Sequence, residues 1–183
     1  MNFTKKNATL LALLLVPAAL SLNACGALPG TSSDLDRSAE KTAATSEDGV
    51  ANGLLPRWVP ASGTDVKLEQ RSTGAERLFV MDYDRPFSSE QCLTVKSAGQ
   101  PTDRELAEAY AADDRFKGFE AKDISSTRTL SADWWPADAQ SKTQWLCGRF
   151  WVHQSDGKLY AFSPDTQTAV DGVLRERKDA KQS

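Results

Sequence analysis

The most informative segment of the chain is residues 143–163, which read TQWLCGRFWVHQSDGKLYAFS. Successive side chains of a β-strand point to opposite faces, so residues 143–154 would place apolar groups on both faces. This pattern predicts one central strand that is covered on both sides. Ser155-Asp156-Gly157 is a strong hairpin signal, and it predicts that a second strand, residues 158–163, returns beside the first.

Three further segments upstream have strand character. Residues 65–71 alternate between apolar and charged side chains, and residues 77–84 are largely apolar. Ser72-Thr73-Gly74 lies between them, which predicts a second hairpin. Residues 124–130 are rich in β-branched and hydroxyl side chains, which predicts another strand.

One helix is expected between these strands. Thr102 and Glu105 have the spacing of a capping box, which predicts a helix that continues to about Phe116. The expected fold class is therefore α+β: a small, mostly antiparallel sheet of about five strands with one helix packed on a face.

The first 24 residues have the organisation of a secretory signal peptide. Lys5 and Lys6 form a positive region, and residues 8–22 carry no charge and are rich in leucine. The alternative is a transmembrane helix. A span needs about 20 apolar residues, and Pro17 interrupts this shorter run.

The end of that segment carries a more specific motif. Leu22-Asn23-Ala24-Cys25 resembles the lipobox of bacterial lipoproteins. The resemblance implies that the Cys25 thiol receives diacylglycerol through a thioether and that a peptidase cleaves before it, which would hold the chain to the membrane. The alternative is a plain signal peptide with an incidental cysteine.

The remaining chain divides into three parts. Residues 25–53 contain the proposed lipid-bearing cysteine and a mostly polar segment without aromatics. This composition predicts a flexible tether with a root-mean-square span of about 30 Å. A helix over residues 34–44 is the alternative. All aromatic residues except Phe3 lie between Trp58 and Phe162, so the folded domain is expected over residues 54–170. Residues 171–183 form a polar tail that is frayed or a short surface helix.

The cysteine count agrees with export. Once Cys25 is assigned to lipid, Cys92 and Cys147 remain, and an exported pair is expected to be oxidised. By the chain-entropy estimate, closing this loop would stabilise the fold by about 4 kcal/mol. The alternative is two free buried thiols.

The sequence contains few residues that could form a catalytic or metal site of a known type. The chain of 183 residues has one histidine, His153, and contains none of the common metal or nucleotide motifs, so we expect no cofactor and no metal site. A net charge of −3 gives no reason to expect nucleic acid as a partner. Trp134-Trp135-Pro136 is an unusual motif with two interpretations. The two indoles either form an exposed platform for a ligand, or they cover the two faces of an edge strand that ends at Pro136.

Several short motifs in residues 54–162 belong to one set: Leu55-Pro56-Arg57-Trp58-Val59-Pro60, Thr64-Asp65-Val66, Cys92, Trp134-Trp135-Pro136, and residues 145–152. Together with the lipobox, they resemble a group of small, uncharacterised surface lipoproteins of high-GC Gram-positive bacteria. The resemblance implies the compartment, the anchor and the paired cysteines, and no catalytic residue.

Two functions remain as hypotheses. The first is a lipid-anchored, outward-facing protein of the cell membrane with a non-enzymatic interaction or envelope-accessory role, whose partner is an envelope protein or a glycan. The second is a carbohydrate- or cell-wall-binding module, or an envelope enzyme, that uses Trp134 and Trp135 together with carboxylates.

Overall fold

The computed structural model describes residues 34–97, 99 and 101–182; the predicted signal peptide, Cys25 and residues 26–33 lie outside them. The strands in this part of the chain are β1 (Ser38–Thr45), β2 (Thr64–Arg71), β3 (Arg77–Asp82), β4 (Leu93–Thr94), β5 (Trp145–Cys147), β6 (Phe150–Ser155) and β7 (Lys158–Ser163). The helices are α1 (Ser46–Ala51), α2 (Asp103–Ala111) and α3 (Gln167–Ala180), with 3-10 turns at Ala121–Asp123 and Ala139–Lys142.

These strands form one antiparallel sheet in the order β1-β2-β3-β7-β6-β5-β4. The α+β class is therefore confirmed, with seven strands among the described residues where the sequence predicts about five. The additional strands are β1, the two-residue β4, and the split of one long predicted strand into β5 and β6.

Two hairpins form the middle of the sheet, as predicted. β2 pairs with β3, and β6 pairs with β7. At the second turn Asp156 and Gly157 have φ angles of 51° and 71°, the left-handed values that a two-residue hairpin turn of this kind requires. The hairpins join because β3 also pairs with β7, with Leu78 opposite Phe162.

The prediction of a single strand over residues 143–154 is wrong. Gly148 and Arg149 turn the chain between β5 and β6, and Cys147 lies opposite Phe150. Gly148 has a φ of 58°, which a strand does not contain and which glycine adopts without strain. The turn places Cys147 and Phe150 in one cluster on the same face, whereas a continuous strand would have put them on opposite faces.

Apolar side chains cover both faces of the sheet. The helical core contains, among others, Leu78, Val80, Tyr110, Phe116, Trp135, Trp151 and Phe162. The loop core, on the other face, contains, among others, Leu55, Val59, Phe79, Met81, Phe87, Phe150 and Val152. Alternate residues of β3 supply the two clusters, which explains why its sequence is apolar throughout.

Helix α2 begins where the sequence predicts. The Thr102 hydroxyl accepts a hydrogen bond from the Glu105 backbone, and the Glu105 carboxylate accepts one from the Thr102 backbone at 2.8 Å, which completes the capping box. The helix ends at Ala111, earlier than predicted. The chain turns at the next residues, where the Asp113 side chain accepts a hydrogen bond from the Arg115 N–H.

Two segments that the sequence assigns outside the domain belong to it. Of the predicted tether over residues 25–53, the described part forms β1 and α1, and β1 pairs with β2 along its length. Of the predicted tail, residues 171–180 are the larger part of α3, whose Val170 and Val173 are buried. Both are polar, because an edge strand and a surface helix each bury only a narrow row of side chains.

The strand predicted over residues 124–130 is absent; only an isolated bridge joins Ile124 to Thr166. Its backbone N–H groups have another acceptor. The buried Glu76 carboxylate accepts hydrogen bonds from the N–H groups of Thr129 at 2.6 Å and Leu130 at 2.8 Å. A side chain therefore satisfies the donors that a neighbouring strand would otherwise pair.

Candidate functional site

Asp113 fastens the β5–β6 turn to the end of α2. Its carboxylate accepts hydrogen bonds from the backbone N–H of Arg149 at 3.2 Å and from Nη1 of the same residue at 3.1 Å. Burial lowers the pKa of the Arg149 guanidinium, and the charge of Asp113 opposes that shift. A Cβ at Gly148 would lie 2.9 Å from the Asp113 Oδ2, so both the backbone angle and the close approach favour glycine there.

A cleft of about 360 Å³ opens beside this turn. Its lining includes Trp58, Gln91, Asp113, Cys147, Arg149 and Phe150. The half-buried Trp58 ring also packs against Phe79 and Phe150 of the loop core, which holds it in place. The cleft thus combines a fixed aromatic ring with an amide, a carboxylate and a guanidinium.

The Cys92–Cys147 disulfide lies at the edge of the cleft. The two Cα atoms are 4.2 Å apart, which agrees with the predicted pairing. Cys147 lines the cleft, and Cys92 lines a smaller adjoining depression of about 220 Å³. The bond therefore fixes the segment before β4 against β5, close to the turn that carries Arg149.

Arg77 lies near Arg149 without an ion pair to a carboxylate among the described residues. Arg149 Nε donates to the Ser163 Oγ at 3.0 Å, and Ser163 lies opposite Arg77 in the β3–β7 register. Burial, followed by the charges of Arg149 and Arg115, lowers the pKa of Arg77 to about 10. We call Arg77 and Arg149 the guanidinium pair.

A second charged cluster centres on two buried side chains, Arg71 and Glu76, and its role is structural. Arg71 donates to the Glu76 carboxylate at 3.3 Å and to the Thr129 Oγ1 at 2.6 Å, and the Glu76 side chain is 0% exposed. Arg71 also pairs with Asp36, which in turn accepts hydrogen bonds from Arg177 of α3. This network joins the N-terminal segment, the sheet and α3.

Neither alternative for Trp134 and Trp135 describes their position. The prediction of a platform fails for Trp135, which is buried in the helical core with its ring 5.9 Å from that of Tyr160. Trp134 is half-buried and packs against the same core. The sheet-edge alternative is also wrong, because the residues lie in a turn, so both indoles can reach one side of the sheet.

His153 is buried rather than poised for catalysis. Its ring stacks on that of Tyr160, with centroids 4.8 Å apart and planes 8° from parallel. Burial, and secondly the charge of Lys142, lower the pKa of His153 from 6.5 to about 4, so the ring is neutral at pH 7. Within the described residues no serine, cysteine or carboxylate forms a hydrogen bond with its ring, as a triad would require.

Three carboxylates lie at the turn of the β6–β7 hairpin. Asp82, Asp84 and Asp156 line a shallow depression of about 430 Å³, and Lys158 pairs with Asp82. In the part of the chain that the structure describes, no group of three His, Cys, Asp or Glu side chains is placed to hold a metal ion. No helix there is long and apolar enough to cross a membrane.

Comparison with known proteins adds no relative: no family model, curated protein or solved structure matches the chain. The cleft brings together residues that sequence reasoning did not select, namely Trp58, Asp113 and Arg149. One local signal was available, since a Gly-Arg pair inside an apolar run favours a turn over a strand.

Proposed function

We propose that this chain is an exported lipoprotein, held at the outer face of the cell membrane by diacylglycerol on Cys25, and that its domain binds another envelope component without catalysing a reaction. The lipobox residues lie outside the described part of the chain, so their support comes from the sequence alone.

The observation that carries the proposal is the Cys92–Cys147 disulfide. Disulfides persist in oxidising compartments and are rare in the cytosol. A chain that begins with an export signal and encloses a bonded cysteine pair is consistent with a protein that works outside the cytoplasm.

The proposal is tested by replacing the acylated residue. Cys25→Ala should release the protein from the membrane fraction or leave the precursor unprocessed, whereas Ser32→Ala, in the same segment but outside the lipobox, should behave like the wild type. Fractionation and intact mass would show both effects. If Cys25→Ala fractionates and migrates like the wild type, the chain is not a lipoprotein.

A second candidate function is glycan binding at the Trp58 cleft, with Trp58 as the aromatic platform that the sequence predicted at Trp134 and Trp135. The supporting observation is a fixed aromatic ring beside Gln91, Asp113 and Arg149 in one concave site. Gln91→Ala, at an exposed side chain, should reduce retention on purified cell-wall polysaccharide. Equal retention of variant and wild type would argue against this site.

A further inference from the structure

We propose that the guanidinium pair, Arg77 and Arg149, binds an oxyanion, a carboxylate or phosphate group carried by a sugar whose ring lies in the Trp58 cleft. This inference deepens the second candidate function, because it names the chemical class of glycan that the cleft would take.

A chain of hydrogen bonds fixes the relative positions of the two guanidinium groups. Arg149 Nε donates to Ser163 Oγ at 3.0 Å, and Ser163 Oγ donates to the Ala75 carbonyl at 3.2 Å. The same carbonyl accepts a hydrogen bond from Arg77 Nη1 at 3.2 Å. The two cationic side chains are thus held at one end of β3 and β7 through the Ser163 hydroxyl and the Ala75 carbonyl.

Most donors of this pair are unused. An arginine has five N–H donors. Arg77 uses only the bond to Ala75, and the Nη2 atom of Arg149 makes no hydrogen bond within the described residues. A planar guanidinium with free donors matches the two oxygens of a carboxylate or phosphate.

The charge balance also favours an anion. Arg115 adds a third positive charge, and it acts on both Arg77 and Arg149. Asp113 is already bound to Arg149, and Asp165 accepts backbone hydrogen bonds from Ala75 at 2.9 Å and Glu76 at 3.3 Å. Burial and the charges of Arg149 and Arg115 disfavour the protonated form of Arg77, and the charge of Asp165 opposes them only in part. A bound oxyanion would compensate the remaining positive charge.

The position of Arg149 connects this pair to the cleft. Its Cζ lies 4.9 Å from the centroid of the Phe150 ring, and Arg149, Phe150 and Trp58 all line the cleft. A group held by Arg149 would therefore place the sugar that carries it near Trp58. The hydroxyl groups of a neutral sugar could also accept hydrogen bonds from these donors, but they would leave the positive charge of the guanidinium pair uncompensated.

The test is calorimetric titration of the mature lipidated protein in detergent micelles with three probes. Trigalacturonic acid carries carboxylates, glucose 6-phosphate carries a phosphate, and maltotriose is neutral. Arg77→Gln should weaken binding of an anionic probe by about tenfold or more, since hydrogen bonds to charged groups are among the strong ones. Arg175→Gln, at an exposed position of α3, removes the same charge elsewhere and should leave binding unchanged.

Thermal unfolding of each variant controls for folding, and Arg115→Gln, at an exposed side chain, replaces Arg77→Gln if the latter does not fold.

Loss of binding in the site variant but not in Arg175→Gln supports the oxyanion site, and the preferred anionic probe identifies its source. Absence of binding by both anionic probes, or equal weakening in both variants, overturns it. Binding of maltotriose alone, unaffected by Arg77→Gln, also overturns the oxyanion site but leaves the glycan function standing. Binding of glucose 6-phosphate without retention on cell-wall polysaccharide supports the site and rejects the glycan function.

Discussion

Lowering the pH from 7 to 5 should destabilise the domain by about 2 kcal/mol through His153 alone. The side chain lies on β6 and is stacked on Tyr160, and the residue is only 4% exposed. Burial and the nearby Lys142 lower its pKa from 6.5 to about 4 in the folded state, while Asp138 partly opposes the shift. In the unfolded chain these surroundings are lost, and the pKa returns to its ordinary value.

The sign follows from proton uptake. Between pH 6.5 and about 4 the unfolded chain binds a proton at His153 that the folded chain does not bind. The contribution to stability is therefore present above pH 6.5, falls as the pH decreases, and is fully lost near pH 4. At pH 5 the unfolded histidine is about 97% protonated and the folded one about 9%, which gives about 2 kcal/mol between pH 7 and pH 5.

Urea unfolding at pH 7, 6 and 5 measures this effect against a matched variant. His153→Phe keeps a flat ring against Tyr160 but cannot bind a proton. The chain has no other histidine, and the lowered pKa values of Asp36 and Glu105 place their titration below this range. The wild type should lose about 2 kcal/mol more than the variant between pH 7 and pH 5. An equal loss in both proteins would mean that His153 titrates normally and that the burial argument is wrong.

Three further predictions concern the elements that hold the site and the sheet. Gly148→Ala should lower the free energy of unfolding by about 1 kcal/mol or more beyond the effect of Gly53→Ala. Both positions have positive φ angles, but only a Cβ at residue 148 would crowd Asp113. Urea unfolding of the two variants measures the difference, and equal losses would exclude crowding. Glu76→Gln should cost about 2 kcal/mol or more, since it removes the fully buried carboxylate partner of Arg71 and leaves that guanidinium only its ion pair with the partly exposed Asp36. A loss near zero by the same assay would show that water already reaches the buried pair. Replacing both Cys92 and Cys147 by Ser should cost about 4 kcal/mol, as a loop of 55 residues is released in the unfolded state; a midpoint that reduction does not change in the wild type would contradict this.

Local signals in the sequence predicted the elements whose geometry is local. The Asp156-Gly157 turn and the capping box of Thr102 and Glu105 each depend on residues within four positions of one another, and both were confirmed. The strand predicted over residues 124–130 failed because a distant carboxylate, Glu76, satisfies its backbone donors. No pattern within that segment could reveal an acceptor more than 50 positions away.

The N-terminal segment shows a second kind of failure. Composition predicted a tether because β1 contains small and charged residues and no aromatics. An edge strand, however, is held by ladder hydrogen bonds to one neighbour, and its side chains need bury little apolar area. The ion pair between Asp36 and Arg177, 141 positions apart, adds a contact that only the folded chain displays.

The candidate site was not predicted from the sequence, again because it depends on contacts between residues that are far apart along the chain. Trp58, Arg77, Asp113 and Arg149 belong to four separate segments, and no pattern in the sequence links them to one another. Trp58, Asp113 and Arg149 line one cleft because Asp113 and the disulfide hold the β5–β6 turn from two sides. Arg77 lies near Arg149 because β3 pairs with β7 and β7 with β6. The adjacent tryptophans attracted attention as a motif, yet they fill the core. In this domain the most unusual sequence motif, the adjacent tryptophans, therefore belongs to the packed core. The residues suited to binding a ligand become recognisable only once the order of the strands is known.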